Sequence, residues 1–258
     1  DAYAGEHLFD VESDMIQEVE VISGTFNAEY GQAMSGIVNI VTKEGQEYYS
    51  GKITFYCGDH LSSHTHIFMN IDDINPLDNT NYQFNLSGPI PLLGKNLSFS
   101  LLGRTNTDDG WLYGQRIFRP SDFCYFSDDP NKQIIQSTGD SSFVSMNSSN
   151  MQTLQGKLSF KLSRMDKINY TGFYEKSKYR SYDRLFKYNP DGNYRHENMS
   201  YQNSLQYTHM FNPNTFLTAN YSNLFTTYGQ YVYKDKYDPR YVPIEYLNAT
   251  NSNGFSTG

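Results

Sequence analysis

From about residue 46 onward the chain alternates, and that alternation limits its fold more than any other feature. In "MQTLQGKLSFKL" (151–162), Leu154, Leu158, Phe160 and Leu162 share one face with Gly156, whereas Thr153, Gln155, Lys157, Ser159 and Lys161 take the other. "YQNSLQYTHMF" (201–211) and "LTANYSNLF" (217–225) repeat the pattern, and shorter rows occur at 53–57, 82–87, 97–104 and 168–176. A period of two marks strands with unlike faces. About seven strands are expected, several as long as the roughly 9–11 residues that a membrane-crossing strand needs.

The connections sort by length. "GPIPLLGK" (88–95), "SRMDK" (163–167) and "NPNT" (212–215) are tight, and they alternate with long segments at roughly 58–78, 106–150, 177–199 and from 229 onward. In an up-and-down antiparallel sheet every second connection lies at the same end. One end would therefore carry only turns and the other only long loops. A soluble sandwich also alternates apolar with polar residues, but nothing in it sorts loops by end. An outer-membrane barrel does, with short periplasmic turns and long extracellular loops.

Composition narrows the field. Only 38% of residues are hydrophobic, yet 23 Tyr and 17 Phe make the chain 16% aromatic, which disordered segments are not. A net charge of -8 excludes nucleic acid as a partner, because phosphate binding needs clustered cations. No apolar run approaches the 18 or so residues of a membrane helix. The chain opens "DAYAGEHLFD", without a secretory leader pattern. Cys57 and Cys124 stand far apart, in no metal-binding spacing, and their roles stay open.

The first 45 residues read differently. "IQEVEVISG" (16–24) predicts a strand with Val19 and Val21 on one face, and "GIVNIVTK" (36–43) a strand buried on both faces. Gly24, Gly31 and Gly36 supply turning points between them. Together they resemble the last part of the plug domain of TonB-dependent outer-membrane transporters. The matching positions are Ile16, Val19, Glu20, Val21, Gly24, Tyr30, Gly31, Gly36, Val38, Asn39, Ile40, Thr42 and Lys43; "SGPIP" (87–91) is similar to one branch of that family. Many members have Arg-Gly-Pro where this chain has Ser23-Gly24-Thr25, a departure at a position where the Arg can pair with acidic groups and hold plug to barrel.

The resemblance implies a mainly β protein, a plugged antiparallel transmembrane β-barrel of about 22 strands when complete. Residues 1–45 would be the C-terminal part of the plug, and 46–258 the N-terminal portion of the barrel, an internal piece of a longer protein. It implies a receptor in the outer membrane of a diderm bacterium, long loops outward, importing a scarce solute. Its partners would be outer-membrane lipid, the remainder of the barrel, a TonB-type energy-transducing protein acting through an upstream segment, and a surface lipoprotein in some systems. No cofactor is implied. Alternatives are a structural or adhesive barrel serving as subunit of an envelope assembly, and a barrel-mouth hydrolase.

Candidate site residues fall in the long segments. His60, His64 and His66 could ligate a metal, but their spacing is not that of a structural zinc site, and a solvated His-rich loop is the favoured reading. Trp111, Tyr113, Arg116, Arg119 and Tyr125 would suit a ligand-binding loop, the rings stacking and the Arg pairing with carboxylate or phosphate. The bland reading is a loop folded on its own aromatics or an interface girdle. A second aromatic loop, 228–246, poses the same choice. No nucleophile elbow, no organised Ser or Cys and no phosphate-cradling Gly loop occurs, so an enzyme is not expected.

Overall fold

The computed structural model describes residues 13–22, 37–91, 96–125, 129, 131, 133–238 and 240–241. Two strands come first, β1 (Ile16–Ile22) and β2 (Ile37–Thr42), paired antiparallel as a ribbon. Seven more form one antiparallel sheet: β3 (Ser50–Gly58), β4 (Asn79–Pro89), β5 (Leu97–Asp108), β10 (Ser149–Lys161), β11 (Asp166–Tyr179), β12 (Arg195–Asn212) and β13 (Thr215–Tyr231). Their order in space is the order in the chain. The long connection after β5 carries four short strands, β6 (Tyr113–Gln115), β7 (Cys124–Tyr125), β8 (Ile134–Ile135) and β9 (Phe143–Ser145), pairing as β6–β9 and β7–β8.

Each predicted row is a strand, and each strand is paired with its neighbour at an unbroken register along most of its length. In β10, for example, Gly156 faces Leu101 of β5 on one side and Gly172 of β11 on the other. Turns at one end are short because side chains close them locally. The Ser163 hydroxyl donates to Asp166 (2.6 Å) and accepts the amides of Met165 and Asp166. Asn212 accepts the amide of Asn214, an Asx turn on Pro213. The segments 59–78, 109–148 and 180–194 all lie at the opposite end. The sorting of loops by end expected from the sequence is present.

The polarity of the sheet is inverted relative to a soluble protein. Thr153, Gln155 and Ser159 are 3–4% exposed, whereas Ile53 is 86% exposed and Leu154 46%. The register gathers the bare side chains on one outer face: Ile53, Phe84, Leu154, Tyr174, Tyr201 and Phe225 fall into a single cross-strand row. One polar row interrupts it, where Asn203 faces Asn223 and accepts the Tyr170 hydroxyl (2.6 Å).

The ribbon lies against the inner, polar face. The small apolar core of the chain sits there: Met15, in the 3-10 turn Ser13–Met15, is fully buried, as is Leu102, the one inward-facing Leu of β5. Ser100 donates to the Met15 sulfur. Leaving β2, the chain passes so close to β5 that a Cβ on Gly45 would stand 2.5 Å from the Phe99 backbone. Only glycine allows that approach.

One expectation fails. The second ribbon strand is not buried on both faces: Ile40 and Val41 keep more than a third of their surface exposed, and Val19 and Val21 more still. A two-stranded ribbon has one face against the sheet, and among the described residues nothing covers the other. Gly24, Tyr30, Gly31 and Gly36, and the side chains of Val38 and Asn39, lie outside the described residues. Replacing Gly45 by Val should lift the ribbon away from β5. Limited proteolysis of the full-length protein should then cut between residues 43 and 50 faster than in the wild type, with the sheet left intact.

Candidate functional site

The inner face of the sheet binds the ribbon through charge. Asp14 accepts Lys52 Nζ (3.1 Å) and Gln83 Nε2 (2.9 Å) on one carboxylate oxygen. Glu44 receives Lys167 Nζ on both oxygens at 2.6 Å and has Lys157 Nζ at 3.9 Å. Lys157 also donates to the Thr42 carbonyl (3.0 Å). Within the ribbon, Lys43 Nζ donates to the Asp14 carbonyl (2.9 Å). Lys157 is buried, but the Lys52–Asp14 and Lys167–Glu44 pairs are partly exposed, so each of those contributes at most about 1 kcal/mol.

Beneath that attachment the wall is under-bonded. Thr153 Oγ1, Gln155 Oε1, Ser159 Oγ and Asn169 Oδ1 are buried and, among the described residues, lack a hydrogen-bond partner. All four lie on the inner faces of β10 and β11. The surface facing the ribbon here is polar.

A second cluster forms at the long-loop end. Arg116 ties two loops together: its Nε donates to Asp191 (2.5 Å), and Nη1 donates to Asp140 (3.1 Å) and the Ser142 hydroxyl (2.6 Å). Backbone bonds reinforce the junction, from Gln115 to the Lys187 carbonyl and from Ile117 and Phe118 to that of Tyr188. Arg180 Nη1 donates to the Ser145 carbonyl, and burial, followed by the nearby Arg195 charge, lowers its pKa. Met146 is fully buried where the loops meet. The loops thus have a core of their own.

The candidate residues do not converge on one point. Trp111 is partly exposed and packs edge-on to His60 at 4.9 Å, and His60 Nε2 lies 3.1 Å from Asp108. Tyr113 sits nearby; burial, and then the carboxylates of Asp78, Asp109, Asp59 and Asp73, push its pKa up to about 12, so it remains a donor. Burial first, then the other acids, also raises Asp78 and Asp109. Arg116 faces away toward Asp140 and Asp191. Arg119 belongs to a separate turn in which its amide donates to Asp122, and the Tyr125 side chain lies outside the described residues. His64 and His66 pack against each other at 6.0 Å, apart from the His60–Asp108 pair, and among the described residues no three His, Cys, Asp or Glu side chains gather as for a metal.

Sequence reading missed Asp14, Glu44, Lys157 and Lys167. A signal was present, since Lys157 and Lys167 are cations on the polar side of alternating strands. It also missed Asp140 and Asp191, far from Arg116 in the chain, for which no local signal exists.

No protein-family model matches the chain, and no curated protein matches it. Solved structures do. A ferric enterobactin receptor (PfeA) bound to BCV-L6 aligns with 17% identity and a TM-score of 0.43, covering 83% of this chain and 33% of that one. A double mutant of that receptor from Pseudomonas aeruginosa aligns with 18% identity and a TM-score of 0.41, over the same shares. A single mutant of it, in complex with enterobactin, gives 17% and 0.41. The chain thus spans about a third of the length of those receptors.

The loop junction predicts an acid limit. Hydrogen bonds from Ser142, and then from Arg116, hold the Asp140 carboxyl down at about 2. A depressed carboxyl contributes stability above its ordinary value of 3.8, and that contribution is lost as pH falls toward 2. Cleavage within 109–148 by an acid-active protease should stay slow at pH 4 and rise steeply near pH 2. Arg116→Ala should remove the protection at both.

Proposed function

We propose that this chain is part of a TonB-dependent outer-membrane receptor that imports a scarce solute. Residues 1–45 would be the end of its plug and residues 46–258 the first portion of its barrel wall. The observation that carries this reading is the inverted sheet: apolar side chains bare on the outer face, polar side chains buried under the ribbon, and long loops at one end only. In lipid an apolar outer face is solvated by hydrocarbon, and cross-strand pairing satisfies the backbone where no water can. In water the same surface would be an aggregation hazard.

The inner contacts support active import. Ties through Asp14 and Glu44, each worth little alone, suit a plug that a partner must pull. The pulling partner would be a TonB-type protein acting through a segment upstream of residue 1. Among the described residues no cluster of His, Cys, Asp and Glu gathers as for a metal, and binding and release are all that import requires.

Spin labels placed singly along 153–160 of the full-length protein should show oxygen accessibility alternating, high at Leu154, Leu158 and Phe160. Uniform access to a water-soluble relaxant would remove the membrane reading. Leu101→Arg, near the middle of the apolar band, should cost about 2–4 kcal/mol of barrel stability, read from urea unfolding in vesicles. Deleting the energy-transducing protein should abolish accumulation of the solute; unchanged uptake would refute active import while leaving the barrel.

A further inference from the structure

The outer face carries few charges, and they are not spread evenly. Apart from Asp166 beside His209 at the short-turn end, the outward-facing charged side chains of the seven strands are Lys176, Lys178, Arg195 and Glu197. The register places them together at the long-loop end. Lys178 faces Glu197, Lys176 lies two residues below it on β11, and Arg195 lies two residues beyond Glu197 on β12. Glu197 is already engaged, by Lys176 Nζ at 2.8 Å and the Tyr231 hydroxyl at 2.6 Å. Three cations therefore face one carboxylate, in a chain whose net charge is -8. Lys178 and Arg195 are exposed, and diagonal neighbours of this kind stand about 7–8 Å apart, a span that a phosphate bridges.

Below the cations, and extending sideways from β11 across β10, β5 and β4 to β3, lies an apolar groove of about 550 Å³ on the outer face, lined by Ile53, Phe55, Tyr82, Phe84, Leu154 and Tyr174. Gly103 forms its floor, with the Phe84 ring folded over it. The groove and the cations are continuous: Gln152, at the groove's edge, is the cross-strand partner of Lys176, and Tyr174 precedes Lys176 on the same face.

We infer that this patch is a site for a phosphate-bearing lipid, its acyl chain in the groove over Gly103 and its headgroup between Lys178 and Arg195. The inference rests on the membrane-wall reading above. Charge complementarity selects the occupant, because three cations share the single Glu197 carboxylate and a neutral lipid would leave that positive excess at the edge of hydrocarbon. Cations in that position attract anionic headgroups, and Tyr82 and Tyr174 line the same groove, as interface aromatics do.

The test uses the full-length protein purified in a neutral detergent, with dioctanoyl phosphatidic acid, dioctanoyl glycerol and inorganic phosphate as separate probes in native mass spectrometry. The expected result is retention of phosphatidic acid, little of the neutral lipid, and at least a tenfold weaker dissociation constant in K178A/R195A. Lys187→Ala, in the loop layer, should leave retention unchanged. Equal retention of inorganic phosphate and phosphatidic acid would overturn the lipid assignment in favour of a bare anion site, and equal affinity of wild type and K178A/R195A would overturn the site. Heat-modifiable gel migration and outer-membrane fractionation are read on every variant. A wild type that fails both defeats the membrane-wall reading itself, whereas a folded, membrane-resident K178A/R195A with undiminished retention defeats the lipid site alone.

Discussion

The structure depends on hydrogen bonds between neighbouring strands. Within the seven-stranded sheet each strand pairs with its neighbour over nearly its whole length, so backbone polarity is satisfied along every shared edge. Side chains are thereby freed from the usual rule that apolar groups must meet one another. The outer rows can stay bare, and the inner rows can be Thr, Gln, Lys and Ser. A soluble sheet of this kind needs a second layer; on the proposed reading this one needs only continuity and a solvent of the right polarity on each side. The burial of Gln155 beside the exposure of Leu154 follows from that exchange.

The inner face and the loop layer solve different problems. Against the ribbon, the sheet uses long cations, Lys52, Lys157 and Lys167, that reach across to Asp14 and Glu44. Lysine is a flexible point charge, so such contacts tolerate sliding. At the loop end the connector is Arg116, whose planar fork fixes both Asp140 and Asp191 in one geometry. The chemistry thus grades from adaptable contacts inside the sheet to rigid ones in the loops. The ribbon is the part held loosely.

Much of the wall was legible from residue type alone. Period-two rows at 151–162 and 201–225 fix both the strands and which face is apolar, because each residue's neighbour on the sheet carries the same parity. The lengths of 88–95 and 163–167 against 106–150 fix the ends. The ribbon was half legible: Val19 and Ile40 mark strands, but nothing in their spacing says whether a third layer will cover them. The loop candidates were least so. Trp111, Tyr113 and Arg116 lie within six positions of one another, yet a loop reverses direction over that distance and sends them to different partners. Arg116 meets Asp191 across 75 positions, a pairing that depends on two loops folding against each other and leaves no local trace.

The way those loops are knotted also decides where the surface can be altered. The junction is anchored at Arg116, Met146, Lys187 and Tyr188, while Leu185, in the 3-10 turn Arg184–Phe186, stands 89% exposed at the rim. The turn is closed locally, by Asp183 accepting the amide of Leu185 (2.9 Å). A peptide grafted at that tip would hang outside the knot and transmit little strain to the strands below. The same geometry makes this corner, rather than the aromatic stretch around Trp111, the place where the sequence can change at least cost to the strands beneath.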